Sequence, residues 1–312
     1  MNYIDSLREG ENVTEIYYCK NKTVAQGKTG KTYYSVTLQD KTATIDGKIW
    51  DLTNAIEHFE TGDYIQISGQ VTSFNNNLQL TIRRVRKAAE NEYDPSEYMP
   101  YTPYNIDSMY SQLLEMIESI SNTYLKQLLH SFFVDDQDFI KQFKYSSAAK
   151  SLHHSFIGGL LQHSLFVAKI SDYYASIYKS INRDLLVTAA ICHDIGKVRE
   201  FSKFPENDYT YEGNVIGHII IGAMMIEENA SKIEGFPEDL KTNLVHCILA
   251  HHGKLEFGSP KKPMLIEAIA LSYADDTDAK LEAFTEALKA APEGERFLGK
   301  HFMFETNIFK TE

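Results

Sequence analysis

The sequence has three cysteines, Cys19, Cys192 and Cys247, which lie far apart and without CxxC spacing. This scarcity excludes a disulfide-stapled scaffold and a zinc ribbon, and it favours a reducing compartment. No apolar run is long enough to span a bilayer, because the longest near-apolar stretch, 215–226, is short and contains His218. The first residues have neither the basic nor the apolar region of a signal peptide. We therefore expect a cytoplasmic protein without a membrane partner.

Positive charge is also in deficit, since 31 Lys and Arg face 43 Asp and Glu, for a formal net charge of −12. This balance disfavours a protein that coats nucleic acid electrostatically, but it permits one that holds a strand in a local groove. Residues 1–90 contain 11 basic and 11 acidic side chains, so the whole net charge lies in 91–312. Together with a length of 312 residues, this asymmetry predicts about two domains.

The first of these domains, residues 1–90, is rich in β-branched and aromatic residues in short runs separated by turn residues. A short helical or loop insert, 51–60, follows the third run. Five strands with an insert between the third and fourth are typical of an OB-type barrel, and an SH3-like barrel is the alternative. The predicted strands cover 13–19, 32–38, 42–50 with a turn at Asp46-Gly47, 64–71 and 78–85.

The next segment, 91–105, contains three prolines and reads as a semi-rigid linker. From 106 to 312 the apolar residues recur at helical spacing, which predicts an all-α bundle of about eight helices. The chain is therefore expected to be a multidomain α and β protein, with the barrel first and the helical domain second. The predicted helical segments are 108–121, 124–133, 137–143, 160–181, 184–193, 217–230, 240–252, 262–278 and 280–290.

Histidine and aspartate recur at the ends of successive predicted helices, about one helical hairpin apart. The recurring residues are His163, His193, Asp194, His218, His251 and Asp275. A lone histidine on an apolar helix is usually a satisfied core group. Here four helices each begin or end with such a residue, and the helices of a bundle can deliver one ligand each to a common point. Imidazole and carboxylate suit divalent Mn, Fe, Co, Ni and Zn, so this co-occurrence predicts metal ligands.

Two adjacent metal sites account for these residues. The first would use His163, His193, Asp194 and Asp275, and Asp194 would bridge to a second metal held by His218 and His251. Two metals about 3.5–4 Å apart activate water and clamp a phosphoryl oxygen. The residues with expected catalytic roles are Asp194, Lys197, which would neutralise a phosphate, and His154 and His252, which are candidate general acids alongside water.

Aromatic and basic residues outside this set are candidate contacts for a single strand, since stacking on aromatic rings tolerates any base. For each of them, core packing or a solvated surface is the competing interpretation. On the barrel the candidates are Lys28, Lys31, Tyr33, Trp50, Phe74 and Arg84, with Tyr17 as a further strand aromatic. In the loop after His251 and His252 they are Lys254, Lys261 and Lys262.

The order His163, His193-Asp194, Asp275 resembles the H…HD…D signature of the HD-domain metal-dependent phosphohydrolases, over residues 150–280. With an OB-like domain before it, the whole chain resembles the YhaM-type 3′→5′ exoribonucleases. The stretches 158–164 and 249–260 contribute most to this resemblance. The domains are then an OB-fold nucleic-acid-binding domain (1–90), the linker (91–105) and an HD domain (106–312).

The resemblance implies a metal-dependent 3′→5′ exoribonuclease that cuts single-stranded RNA, and also single-stranded DNA, into nucleoside monophosphates. We expect two divalent ions, with Mn²⁺ first and Fe²⁺, Co²⁺ or Ni²⁺ as alternatives, and a homo-oligomer. The alternative is an HD-type phosphohydrolase of small nucleotides, with the OB domain as a regulatory or oligomerising module. A non-catalytic nucleic-acid-binding protein ranks last, because the ligand set is intact.

Overall fold

The computed structural model describes residues 2–27, 30–53, 55–74, 77–150, 154–289, 294–301 and 303–311, without the side chain of Ser96. The chain divides into two compact units. The first contains Met1–Tyr101 with Lys203–Asn207, and the second contains Thr102–Ser202 with Asp208–Glu312. Within the described ranges, no helix combines the length and apolarity needed to cross a membrane.

The first unit is a closed five-stranded barrel with the strand order β1-β2-β3-β5-β4. All neighbouring pairs are antiparallel except β3 and β5, which run parallel. This is the OB fold, so the prediction of an OB barrel is confirmed and the SH3-like alternative is set aside. The strands are β1 (Asn12–Gln26), β2 (Thr32–Gln39), β3 (Thr44–Ile49), β4 (Tyr64–Phe74) and β5 (Asn77–Lys87).

One local prediction for the barrel is wrong. Asp46 and Gly47 do not form a turn, because both lie inside β3. A Cβ on Gly47 would come within 2.7 Å of the Ile82 side chain, so the residue is glycine because the barrel interior leaves no room for a side chain. The described residues of 51–60 form no helix, so the insert takes the loop form, one of the two expected for it.

The predicted linker begins on the barrel itself. Tyr98 and Met99 are buried, and the ring of Tyr93 stacks on that of Tyr64 with their centroids 3.9 Å apart. Gln39 donates a hydrogen bond to the carbonyl of Tyr98. The first part of 91–105 therefore packs against the barrel and is not an unattached linker.

The second unit is helical. Its helices are α1 (Ile106–Glu118), α2 (Thr123–Phe133), α3 (Gln137–Tyr145), α4 (Gly159–Ile177), α5 (Arg183–Cys192), α6 (Lys197–Glu200), α7 (Tyr211–Val215), α8 (His218–Ala230), α9 (Glu238–Ala250) and α10 (Ile266–Lys289). Several begin where a polar side chain caps the first turn, as Asn105, Asn122 and Asn182 do for α1, α2 and α5. The prediction of a helical bundle after the barrel is confirmed.

Two details of this unit differ from the sequence-based expectation. Residues 262–278 and 280–290 were predicted as separate helices, but α10 runs continuously through the acidic stretch 275–278. A two-stranded hairpin, β6 (Phe297–His301) with β7 (Thr306–Phe309), follows the helices, so the domain is not entirely α.

Helix α5 forms the centre of the bundle, because every residue from Leu185 to Cys192 is buried. Side chains of α4, α9 and α10 belong to the same hydrophobic core. A helix that is apolar on all sides is held in place from every direction. The residues that follow its last turn, His193 and Asp194, therefore lie at a fixed point in the core.

The irregularity in the β4–β5 pairing, where Ser68 faces Arg84 and Gly69 faces Ile82, gives a test of barrel packing. A Cβ on Gly69 would lie 2.5 Å from the Thr81 carbonyl oxygen, a backbone atom that cannot move aside. We expect Gly69→Ala to destabilise the barrel by about 1–3 kcal/mol. Fluorescence of Trp50, the single tryptophan of the chain, reports barrel unfolding in denaturant. The matched control is Gly27→Ala, whose Cβ would meet its nearest atom at 3.5 Å. Equal midpoints for the two variants would contradict this packing account.

Candidate metal centre

Three helices deliver the first set of donors. His163 lies on α4, His193 directly follows α5, and Asp275 lies on α10. The Nε2 atoms of His163 and His193 are 3.1 Å apart. The Oδ1 atom of Asp275 is 3.2 Å from His163 Nε2 and 3.9 Å from His193 Nε2. The structure thus brings one candidate donor atom from each of these three residues together.

A second set contains His218, the first residue of α8, with His251 and His252, which follow α9. One ring nitrogen from each lies within 4.8 Å of the others. His251 is fully buried, whereas His218 and His252 are half-buried. The rings of His218 and His252 are therefore partly exposed, although the Nε2 atom of His218 is itself buried. We propose His252 as a ligand of this set, rather than as the general acid expected from the sequence.

The Asp194 carboxylate lies between the two sets. Its Oδ2 atom is 3.5 Å from His163 Nε2 and 3.3 Å from His193 Nε2. Its Oδ1 atom is 3.5 Å from His218 Nε2 and 3.7 Å from His251 Nε2. One oxygen faces each set, which is the arrangement required of a bridging ligand.

The donor atoms are chemically suited to divalent cations. Asp194 Oδ1, His218 Nε2 and His251 Nε2 are buried, and none has a hydrogen-bond partner among the described residues. A buried polar atom without a partner costs about 1–3 kcal/mol. Three such atoms aimed at one another are explained by a cation between them. Mixed imidazole and carboxylate donors, without thiolate, fit Mn²⁺, Fe²⁺, Co²⁺, Ni²⁺ or Zn²⁺.

In three of the histidines, the ring nitrogen that faces away from the centre, Nδ1, donates a hydrogen bond to a backbone carbonyl oxygen. Nδ1 of His193 donates to Ala190, that of His251 to Ile248 and that of His252 to Phe257, at 2.7–2.8 Å. These bonds fix the tautomer, so that each Nε2 lone pair faces the centre.

Glu200 performs this function for His218, and it was not predicted. Its Oε1 atom accepts from both the ring Nδ1 and the backbone N–H of His218, each at 2.9 Å. Gly196 makes the approach possible, because a Cβ there would lie 2.1 Å from the His218 carbonyl oxygen. The glycine between Asp194 and Lys197 thus lets the start of α8 reach the centre.

A second unpredicted residue, Asp278, supports the first donor set. Its Oδ2 atom accepts from His163 Nδ1 at 2.6 Å and from His154 Nε2 at 2.9 Å. Burial raises the pKa of this carboxyl, but the two hydrogen bonds outweigh it and lower the pKa to about 2. His154, the other expected general acid, is therefore buried behind His163. The i, i+3 spacing of Asp275 and Asp278 on one helix was the available signal.

Charge at the centre is set by Asp194 and Lys197, whose Nζ lies 2.6 Å from Asp194 Oδ2. Burial raises the pKa of Asp194, yet the charge of Lys197 holds it well below its usual range. Burial and the neighbouring His252 lower the pKa of His251. At neutral pH the carboxylate is therefore ionised and this imidazole neutral, which are the forms that bind metal.

The predicted nucleic-acid contacts fall into two groups. On the barrel, the rings of Tyr33 and Trp50 lie 4.5 Å apart, while Lys31 pairs with Asp51. Tyr17 is buried in the core and unable to stack on a ligand. Phe74 and Arg84 are exposed, and Lys28 lies outside the described residues.

In the helical domain, the ammonium of Lys254 lies 3.4 Å from the Glu256 carboxylate and 4.9 Å from the ring centre of Phe257. Lys261 and Lys262 are exposed on the same loop. This loop begins at His252, so its residues follow the second donor set directly in the sequence.

Comparison with known proteins agrees with the division of the chain into a barrel and a helical domain. Residues 160–280 match the HD domain family, and residues 18–88 match the OB-fold nucleic acid binding domain family. The chain is therefore an OB-fold domain followed by an HD domain. The two matches together support a metal-dependent hydrolase of nucleotide or nucleic-acid phosphodiesters.

Similar solved structures are remote. A chain of a replication protein A heterotrimer bound to ssDNA is 17% identical, over 28% of this chain and 64% of that one, with a TM-score of 0.22. The second OB-fold domain of replication protein A from Methanococcus maripaludis is 23% identical, over 30% of this chain and 100% of its own, at 0.24. The HD domain of the L. monocytogenes phosphodiesterase PgpH is 17% identical, over 52% and 78%, at 0.29.

The bridging position of Asp194 predicts unequal metal loss in two variants. Asp194→Ala removes a ligand from both sets, whereas His218→Ala removes one from the second set alone. We therefore expect the first variant to lose both metals and the second to lose one. Metal content per chain after dialysis, measured by mass spectrometry, decides this. Loss of both metals from His218→Ala would refute the shared-carboxylate arrangement.

The support given by Asp278 is tested by its neighbour on α10. We expect Asp278→Asn to weaken metal binding by about 10–100-fold, because His163 loses the anion that orients it. Asp276→Asn is the matched control, since Asp276 pairs with Lys280 on the surface. Titration calorimetry with Mn²⁺ compares the two, and equal affinities would show that Asp278 has no orienting role.

Proposed function

We propose that the protein is a metal-dependent 3′→5′ exoribonuclease, which hydrolyses single-stranded RNA, and also single-stranded DNA, to nucleoside monophosphates. The observation that supports it best is the Asp194 carboxylate shared by two donor sets in an HD domain that follows an OB domain. The 3′→5′ polarity and the preference for RNA rest on the resemblance to the YhaM-type exoribonucleases.

The side chains of the centre have distinct tasks in this reaction. The two donor sets would hold two divalent cations, with Mn²⁺ the first candidate, and when bound these would supply water activation and charge neutralisation at a phosphoryl group. Asp194 links the two donor sets, because one of its oxygens faces each set. The hydrogen bonds at Nδ1 orient the histidine rings so that their Nε2 atoms face the centre. Lys197 adds a positive charge beside Asp194, where the negative charge of the phosphoryl group develops during attack.

The barrel is proposed to capture the strand. The adjacent rings of Tyr33 and Trp50 offer a stacking surface, and Trp50 is 44% exposed. Capture by the barrel also fits the charge distribution, because residues 91–312 carry the whole net charge of −12. An acidic helical domain repels a polyanion except at its cations and lysines.

Digestion of end-labelled oligonucleotides tests the proposal. With Mn²⁺ present, 5′-labelled single-stranded RNA should shorten one nucleotide at a time from its 3′ end, and EDTA should stop the reaction. Asp194→Ala is the inactive control. Release of phosphate from mononucleotides with intact RNA would contradict the proposal and favour the small-nucleotide phosphohydrolase. Immediate release of the labelled 5′-terminal nucleotide, without intermediate lengths, would contradict the polarity.

A further inference from the structure

An exposed aromatic side chain, Phe257, stands on the loop that follows the second donor set, and the proposed function assigns it no task. Its side chain is 56% exposed. Isolated exposed apolar residues are common on protein surfaces, so exposure alone indicates little. The position of this residue relative to the metal centre is what distinguishes it.

The backbone of Phe257 is tied to a proposed metal ligand. Its carbonyl oxygen accepts a hydrogen bond from His252 Nδ1 at 2.8 Å, so a single imidazole ring separates this carbonyl from the metal-facing nitrogen. The loop is also closed on itself. Lys254 N–H donates to the His252 carbonyl at 2.9 Å, and Phe257 N–H donates to the Lys254 carbonyl at 3.2 Å. The backbone of Phe257 is therefore held close to the second donor set, which places its side chain on the adjoining surface.

The same loop places a cation next to the ring. The ammonium of Lys254 is 4.9 Å from the Phe257 ring centre, and its carboxylate partner, Glu256, lies at 3.4 Å on the exposed surface. An exposed ion pair of this kind is weak and exchanges readily for another anion. A flat ring and an available ammonium match the base and the phosphate of one nucleotide.

We propose that Phe257 is the stacking platform for the base next to the scissile phosphodiester, with Lys254 on the adjoining phosphate. This subsite rests on the proposed function and adds to it a contact at the cleavage site, distinct from strand capture by the barrel. Because every base has a π-face, such a platform accepts all four nucleotides. The enzyme then degrades strands without regard to their terminal sequence.

Matched variants and matched substrates test the platform in the full, metal-loaded chain. We expect Phe257→Ala to raise KM about tenfold on single-stranded RNA with a normal 3′-terminal nucleotide. On the same strand with an abasic 3′ end, the variant and the wild type should have equal KM values. Phe257→Tyr should behave like the wild type. So should Leu255→Ala, which loses a similarly exposed apolar side chain without a ring.

Equal penalties for Phe257→Ala on the normal and abasic strands would overturn the proposal, as would the same penalty in Leu255→Ala. Metal content per chain should be unchanged in all these variants, because His252 is bonded to the backbone carbonyl and not to the ring. A loss of metal in Phe257→Ala would show that the residue acts on the loop rather than on the substrate.

A binding measurement separates this proposal from the proposed activity. An oligonucleotide with 2-aminopurine at its 3′ end and a terminal phosphorothioate linkage, which slows cleavage, should lose fluorescence on binding the wild type but not Phe257→Ala. Quenching of this probe, with no shortening of an unmodified RNA strand, would leave the platform standing and refute the exoribonuclease. Shortening of the unmodified strand, with equal quenching of the probe in both proteins, would refute the platform and leave the exoribonuclease standing.

Discussion

The helical domain is organised around one buried carboxylate, whose negative charge has to be compensated by cations. Asp194 is nearly inaccessible to solvent, and an isolated charge in such a place costs several kcal/mol. Lys197 offsets part of this cost, and the imidazoles of both donor sets face the two carboxylate oxygens. The ends of α5, α8 and α9 meet at this point, and the packing that brings them there is the bundle itself.

Local sequence features account for the position of each donor. Because α5 is buried on all sides, the His193-Asp194 pair is held in the core. Gly196 allows the start of α8 to come close, and the Gly158-Gly159 pair does the same for α4. A Cβ on Gly159 would lie 2.1 Å from the His154 carbonyl oxygen. Glycine is required here because backbone must pass next to backbone.

Features that depend on a periodic pattern of one type of residue could be predicted from the sequence. The barrel followed from alternating runs, and His163, His193, Asp194, His218, His251 and Asp275 from histidines and aspartates at helix ends. The structure brings these six together. The strand boundaries and the Asp46-Gly47 pair were less predictable, because crowding inside the barrel overrode a dipeptide that ordinarily signals a turn.

The supporting residues were out of reach for a different reason. Asp278 bonds to His163 across 115 positions of sequence, and Glu200 bonds to His218 across 18. Glu200 is not distinguishable from a surface acid until the helices are packed. For Asp278 the only signal was its i, i+3 spacing from Asp275, and the prediction of separate helices over 262–278 and 280–290 hid the face that the two residues share.

Glu200 connects the centre to the folding of its surroundings. The same oxygen atom caps the first turn of α8 and orients the His218 ring, so the helix start and the second donor set form together. A cation bound there favours the folded form of this segment by mass action. Without that cation the start of α8 would be less stable, so the order of this helix end would depend on metal supply.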